Sequence, residues 1–483
     1  MKPNYSFLML GAVSLLSASV LSSCHKVVND EHTLNVVCLN AGYGREWIDA
    51  AVAIWERDNP DYRVNLNATA DAKTVIQSNI FKAGNIDDVY ISVGADWKKY
   101  AGGDRLLALD DLLQETVDGV KVIDKINDEY QGSIHYQNRH GETHTYRLPW
   151  TSGLGGIFYN AVMFAENGWN VPTTYDQLLT LCQTIIEANI YVDPSDPTEG
   201  RVYPFTFTGN NSDYFDYTVF TWWSQLAGKE AIDQFLQYDQ ADYFDAEINP
   251  TYAKLKTATM MWSRLFGPDS TFGDKLYDPA DKNRGNHEAQ KNFKAGKAAM
   301  MFNGDWIYNE MLKYSSDNTL PANFSVKLMN TPLAPGALED AKKTAYIIGE
   351  DQYIAIPAST IKADLAKSFI KTLISDQVLK IFNEQAHGLM AYKLSDGSIY
   401  QTSDVFVNSL IDYRTNLETT FTNYSTSPLF LNGLVDIWGT SKLRPFQSLN
   451  NGGSKSVDAS FLSIKNEVAR QWSSWTKLAG INE

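Results

Sequence analysis

The chain has 483 residues, with 57 Asp and Glu against 41 Lys and Arg, and a formal net charge of −16 at pH 7. Such a surface repels phosphate backbones, so no nucleic acid is expected as a partner. Only three cysteines are present, and CxxC and HExxH spacings are both missing, so no zinc site or other cofactor is called for.

The N-terminus reads as a targeting segment. Lys2 supplies a thin positive start, and Phe7 to Val20 is an apolar run too short for a comfortable membrane span. Leu21-Ser22-Ser23-Cys24 follows at once and resembles a lipobox, in which a signal peptidase cuts before the cysteine and the thiol is acylated. The expectation is a lipoprotein signal over 1–23, lipid on Cys24 and a polar tether over 24–32. An ordinary secretory signal with an incidental cysteine is the alternative. Residues 1–23 hold one lysine and no acid, which leaves 460 residues carrying −17. That length suits two lobes better than one core.

Thr33 to Leu39 reads as a buried strand and Asn40 to Gly44 as a turn. Glu46 to Asp58 reads as a helix with Trp47, Ile48, Ala51, Val52 and Trp55 on one face. Tyr62, Val64 and Leu66 alternate with polar residues as a half-buried strand. A helix carrying Val75, Ile76, Ile80 and Phe81 is predicted to end at Gly84. Val89 to Val93 is another buried strand, with a turn over Gly94-Ala95-Asp96-Trp97. Strand and helix alternate, which predicts a largely parallel sheet with ligands beyond the carboxyl ends of its strands. The stretch before Leu148 reads as helical. Thr174 with Gln177 makes a capping box for the helix that follows. The loop Asp193 to Gly200 offers acidic oxygens but no EF-hand spacing. Tyr214 to Leu226 is an aromatic helix. Phe324 to Met329 reads as a strand, Tyr346 to Pro357 as a strand interrupted at 349–351, and Ala363 to Leu373 as an amphipathic helix. Cys38 and Cys182 read as small core residues, a disulfide between them being the lesser reading.

Two segments carry the chemistry. Pro149 to Asn160 (PWTSGLGGIFYN) and Ala298 to Trp306 (AAMMFNGDW) each set an apolar strand beside a turn bearing Trp with Asn, Asp, Ser or Thr. An indole face stacks on the C–H face of a sugar ring, and the polar groups pair with its hydroxyls. Aromatics make up 12% of the chain, including 12 Trp, more than a core of this size requires, so some are expected to face a cleft. Walker A and GxSxG patterns are missing. Asp96, Asp213, Asp305 and Glu350 fall in loops near one cleft, so a glycosidase pair is open at this point; the separation of two carboxylates decides it.

Five stretches, in order, resemble the family-1 extracellular solute-binding proteins, the maltose-binding-protein-like carbohydrate receptors of ABC importers. They are Phe81 to Tyr90, with Ile86 where the family usually has proline; Leu106 to Leu113; Leu148 to Leu179, with Tyr175 where tryptophan is usual; Phe293 to Trp306; and Ile354 to Met390. The resemblance implies an α/β, two-lobe, type II periplasmic-binding-protein-like fold with a ligand cleft between the lobes. The N-terminal lobe would comprise 33–148 with 348–405, and the C-terminal lobe 149–340 with 410–483. Crossings are placed near 145–152, 335–348 and 400–415. The implied molecule is an exported monomer, touching the membrane by its lipid anchor only. It would capture a sugar or oligosaccharide, deliver it to the membrane subunits of an ABC importer, and catalyse nothing. Trp306 matches the family's stacking tryptophan, and Asp305 replaces the common proline beside it. Asn210, Asn211 and Tyr214 fall where the family places polar and aromatic contacts. Asp96 and Trp97 lie at the strand end where the first lobe reaches the sugar, and Trp438 falls where a late aromatic completes the stack. Gly42, Tyr43, Trp150, Ser152 and Glu350 complete the candidate ligand-binding set. The alternatives are a lipoprotein glycoside hydrolase and a binding protein for a non-sugar solute such as a polyamine or peptide.

Overall fold

The structure, a computed structural model, describes residues 30–94, 96–209, 212–315, 319–348, 352–422, 424–438, 441–446 and 456–481. The apolar run Thr33–Leu39 forms β1, helix α1 covers Glu46–Asp58, β2 covers Arg63–Thr69, α2 covers Ala72–Asn79 and β3 covers Val89–Val93. Both β2 and β3 pair with β1 in parallel. The first departure from expectation is α2, which stops at Asn79; Phe81 lies past its end and is 46% exposed. The second is the turn after β3, which is shorter than its sequence suggests because helix α3 starts at Asp96 and runs to Gly102.

The stretch before Leu148 is mostly not helical. Beyond one turn at Asp128–Gln131, it forms an antiparallel hairpin of β4, His135–Gln137, and β5, Thr143–Thr145. Its β-branched threonines and its Gly141 turn outweigh the local helix signal. The buried Arg147 then fastens the chain, donating from Nε to the Ser133 carbonyl at 3.0 Å and from Nη1 to that of Gln352.

The second sheet uses β6 (Gly155–Asn160), β7 (Tyr203–Thr206), β8 (Ala298–Gly304) and β9 (Val326–Leu328). Its order is β9-β6-β8-β7; β6 is antiparallel to both neighbours and β8 runs parallel to β7. A parallel pair follows, β10 (Thr344–Tyr346) with a later segment, and β11 (Gln352–Ala355) then returns to the first sheet antiparallel to β3. The partner of β10 is β12, Thr419–Phe421. The first sheet is thus ordered β11-β3-β1-β2.

Strand alternation divides the core. Leu34, Val36 and Cys38 face one apolar cluster and Val37 another on the opposite side of the first sheet. In the second sheet Phe158 and Met301 face the first cluster, while Ile157, Met300 and Phe302 face a separate aromatic-rich one. Cys38 and Cys182 are free and buried, one in each of these two large clusters. Thr174 caps its helix, but Gln177 reaches one residue further back than a capping box would, accepting from the backbone N–H of Thr173 at 2.8 Å.

Three segments run side by side where the chain passes between the sheets. Ile348 donates its N–H to the Gly153 carbonyl at 2.9 Å, and Ser152 donates its N–H to Leu389 at 2.8 Å. Gly153 has φ +59, and a Cβ there would sit 1.2 Å from the Ile348 carbonyl oxygen, so only glycine fits. The fold is the two-lobe type II α/β architecture.

Candidate functional site

Ligand positions in such sheets lie beyond the carboxyl ends of the strands. The turn after β1 carries Gly42 and Tyr43; the turn after β8 carries Asp305 and Trp306. The structure brings these two turns, from different sheets, into contact. The Tyr43 hydroxyl donates to Asp305 Oδ1. Ser152 Oγ donates to Asp305 Oδ2 at 3.3 Å, and the Asp305 N–H donates to the Leu154 carbonyl at 2.9 Å. A Cβ on Gly42 would lie 2.5 Å from Trp306 Cβ, so glycine is what allows the approach. One turn of helix beyond Trp306, in α6 (Ile307–Lys313; α4 and α5 being Tyr175–Ala188 and Asp216–Ala227), Asn309 Nδ2 donates to the Gly42 carbonyl at 2.7 Å.

The Trp306 ring is half-buried between two tyrosines. Tyr43 meets it edge-on at 6.3 Å between centroids, and Tyr214 lies tilted at 5.8 Å. Tyr214 accepts a hydrogen bond from Asn286 Nδ2 at 3.1 Å. Behind Tyr43, Trp150 stacks on Trp47 at 5.7 Å and 22° and donates its indole N–H to the Ser92 carbonyl at 3.2 Å.

Asp305 is completely buried. Burial pushes its carboxyl up to about 7, against the opposing pull of the hydrogen bonds from Tyr43, Ser152 and the backbone. The Tyr43 hydroxyl is driven well above its ordinary range, first by burial and then by the charge of Asp305. After burial, the leading influences on Asp305 are hydroxyls and backbone groups, not a second acid.

The remaining candidates lie elsewhere. Asp96 opens α3 and bonds Lys73 and Gln77, each at 3.1 Å. Trp97 is fully buried against Tyr136 and under the Arg147 guanidinium, 5.1 Å from its ring. Trp438 is 3% exposed and stacks on Tyr346 at 6.1 Å within the aromatic core. Asn210, Asn211, Glu350 and Cys24 fall outside the described residues. Asp193 and Asp196 are occupied by Ser195 and Thr198 in their own loop. Among the described residues no group of three or more His, Cys, Asp or Glu could hold a metal ion.

One participant escapes a reading of the sequence: Asn309, which could have been found, since it lies three residues after Trp306 on the same helical face. The Lys98 ammonium lies 4.1 Å from the Phe430 ring, a contact no sequence pattern announces, since 332 residues separate the two. A cavity of about 870 Å³ opens beside Tyr308, between Glu384, Tyr400 and Asp404, and holds none of the candidate residues.

The bacterial extracellular solute-binding protein family matches residues 41–380. The chain belongs to this family. Among curated relatives, the diacetylchitobiose binding protein NgcE of Streptomyces coelicolor is 26% identical over 153 residues, 31% of each chain. A multiple sugar-binding protein of Streptococcus mutans is 23% identical over 184 residues, 37% of this chain and 40% of the relative. The matched stretches thus span well under half of either relative. RafE of Streptococcus pneumoniae, solved with raffinose, shares the fold with a TM-score of 0.63 at 16% identity, over 92% of this chain and 99% of that one. No described helix is long and apolar enough to cross a membrane.

Proposed function

We propose that this protein is a lipid-anchored, extracytoplasmic receptor that captures a sugar or oligosaccharide between its lobes and hands it to an ABC importer, without chemistry of its own. The lobes are 33–148 with 348–405 and 149–340 with 410–483. The observation that carries the reading is the meeting of Gly42-Tyr43 with Asp305-Trp306 at the carboxyl ends of β1 and β8. Separating the lobes frees one face of the Trp306 indole and uncovers Asp305 and Asn309. A sugar ring can stack on that face while its hydroxyls donate to Asp305 in place of Tyr43. Closure then rebuilds contacts around the ligand. The sugars in the names of the relatives and in the RafE complex support the ligand class.

The test is a thermal-shift screen against a carbohydrate panel. A ligand at 100 times its dissociation constant adds about 2.7 kcal/mol to stability. A panel without any shift, alongside a shift with polyamines or peptides, would overturn the sugar reading. Reducing ends released from oligosaccharides with time, and lost in D305N, would favour the glycosidase instead.

A further inference from the structure

The ends of β1, β2 and β3 opposite the cleft carry a second surface. Three of the first sheet's strands begin there, and β11, antiparallel to β3, ends there. The described chain enters at the same place. Asp30 and Thr33 are gripped by Lys362, which donates Nζ to both of their carbonyls and pairs with Asp88 at 2.8 Å. The loop after α2 and the loop after β11 are joined by Asn85 Nδ2, which donates to Ser359 Oγ at 3.2 Å, and Ala358 donates its N–H to the Arg105 carbonyl at 2.8 Å.

Two large apolar side chains stand out of these loops: Ile361, 81% exposed, and Phe81, 46% exposed. Cations surround Phe81. Lys99 Nζ and the Arg105 guanidinium each lie 5.6 Å from its ring. Lys99 and Arg105, with the exposed Lys82 and Arg63 of the same end, form no ion pair among the described residues. Elsewhere cations such as Lys367, Lys371, Lys393 and Arg414 are each paired with an acid. Of the acids at this end, Asp88 is held by Lys362 and Asp104 by Arg139, and the buried Asp87 accepts from Asn79 and Tyr90 within the field of Lys82; Asp30, Glu31, Asp61 and Asp364 stay exposed around the chain entry. On a chain of net charge −16, a cluster of unpaired cations around protruding apolar groups is out of character.

We infer that this end of the N-terminal lobe rests against the lipid surface, with Ile361 and Phe81 entering the head-group layer and Lys82, Lys99 and Arg105 meeting anionic lipid phosphates. The inference rests on the acylation of Cys24. Six residue steps separate Cys24 from Asp30, which reach at most about 20 Å, so an acyl chain on Cys24 holds this end against the bilayer and no other. Each cation near an anionic leaflet adds attraction that salt screens. The cleft, at the other ends of the same strands, then faces away from the membrane in this resting pose.

The full-length lipidated protein, reconstituted in phosphatidylcholine–phosphatidylglycerol vesicles, tests this. Cys38 and Cys182 are buried, so a bimane fluorophore can be placed singly with Ile361→Cys, Phe81→Cys or Leu478→Cys. Leu478 is 68% exposed on the distant C-terminal helix and serves as the control. Brominated lipids should quench the probes at 361 and 81 about threefold or more above the probe at 478, as insertion of 5–10 Å requires. Adding Lys99→Glu with Arg105→Glu should cut the quenching at 361. Even quenching at all three positions, or none, in protein whose acyl chain is confirmed by mass spectrometry overturns the inference. An unmodified Cys24 in that spectrum overturns the anchor beneath it instead.

Discussion

Replacing Asp305 by asparagine should remove a pH dependence that the closed form now carries. Burial holds this carboxyl at about 7, against 3.8 for the ordinary group. Between those values the folded, closed protein keeps a proton that the unfolded chain has released. The folded pKa is raised, so the contribution of this group to stability is full below about pH 4 and falls as pH rises. It is lost once pH has passed about 7. A gap of about 3 units limits the loss to roughly 4 kcal/mol, with a slope near 1.4 kcal/mol per pH unit inside the window. Urea unfolding of wild type and D305N between pH 5 and pH 8 measures it. Asp281, pushed up to about 6 by burial, gives a slope of the same sign. It lies beside Arg284, away from Asp305, and is common to both proteins, so the difference between them isolates Asp305. D305N should have the flatter profile from pH 5 to 7, and the two should run parallel above pH 8. Equal slopes throughout would refute the claim that Asp305 is buried and protonated in the closed form.

Three further outcomes follow from the same geometry. Trp306→Ala should weaken oligosaccharide binding about tenfold to a hundredfold by calorimetry, one factor of ten for each 1.4 kcal/mol, with little change in ligand-free stability; large destabilisation at unchanged affinity would mark Trp306 as a core residue. Gly42→Ala puts a methyl 2.5 Å from Trp306 Cβ, so small-angle scattering should find the ligand-free protein more open than wild type; unchanged compactness would mean the turn gives way at no cost. Cys24→Ala should leave the folded domain intact and abolish labelling by a fatty-acid analogue, whereas retained label would refute the lipobox.

The local sequence determined most of the secondary structure. The runs that form β1 and β3 and the apolar face of α1 are legible because a buried strand and an amphipathic helix each have their own period. Placing Gly42, Tyr43 and Trp306 on turns followed from strand–turn patterns of the same kind. Where context decided, the reading failed. The stretch before Leu148 reads as helix by its local pattern yet folds as a hairpin, and Asp96 and Trp97 lie in α3 and not in a turn. Sequence could rank Trp97, Trp150 and Trp438 only as tryptophans near turns. Burial is a property of what packs on a ring, and Trp97 and Trp438 are covered by Arg147 and Tyr346, which lie tens of residues away. The same holds for Asp305. Its residue type offered a carboxylate for sugar hydroxyls, but its raised pKa comes from burial imposed by distant segments, while the hydrogen bond from Tyr43, 262 residues away in the chain, pulls the other way. Local pattern sets which face of a segment is apolar. Only the packing of distant segments decides which polar group loses its water, and so which of them can exchange a neighbour's hydroxyl for a ligand's.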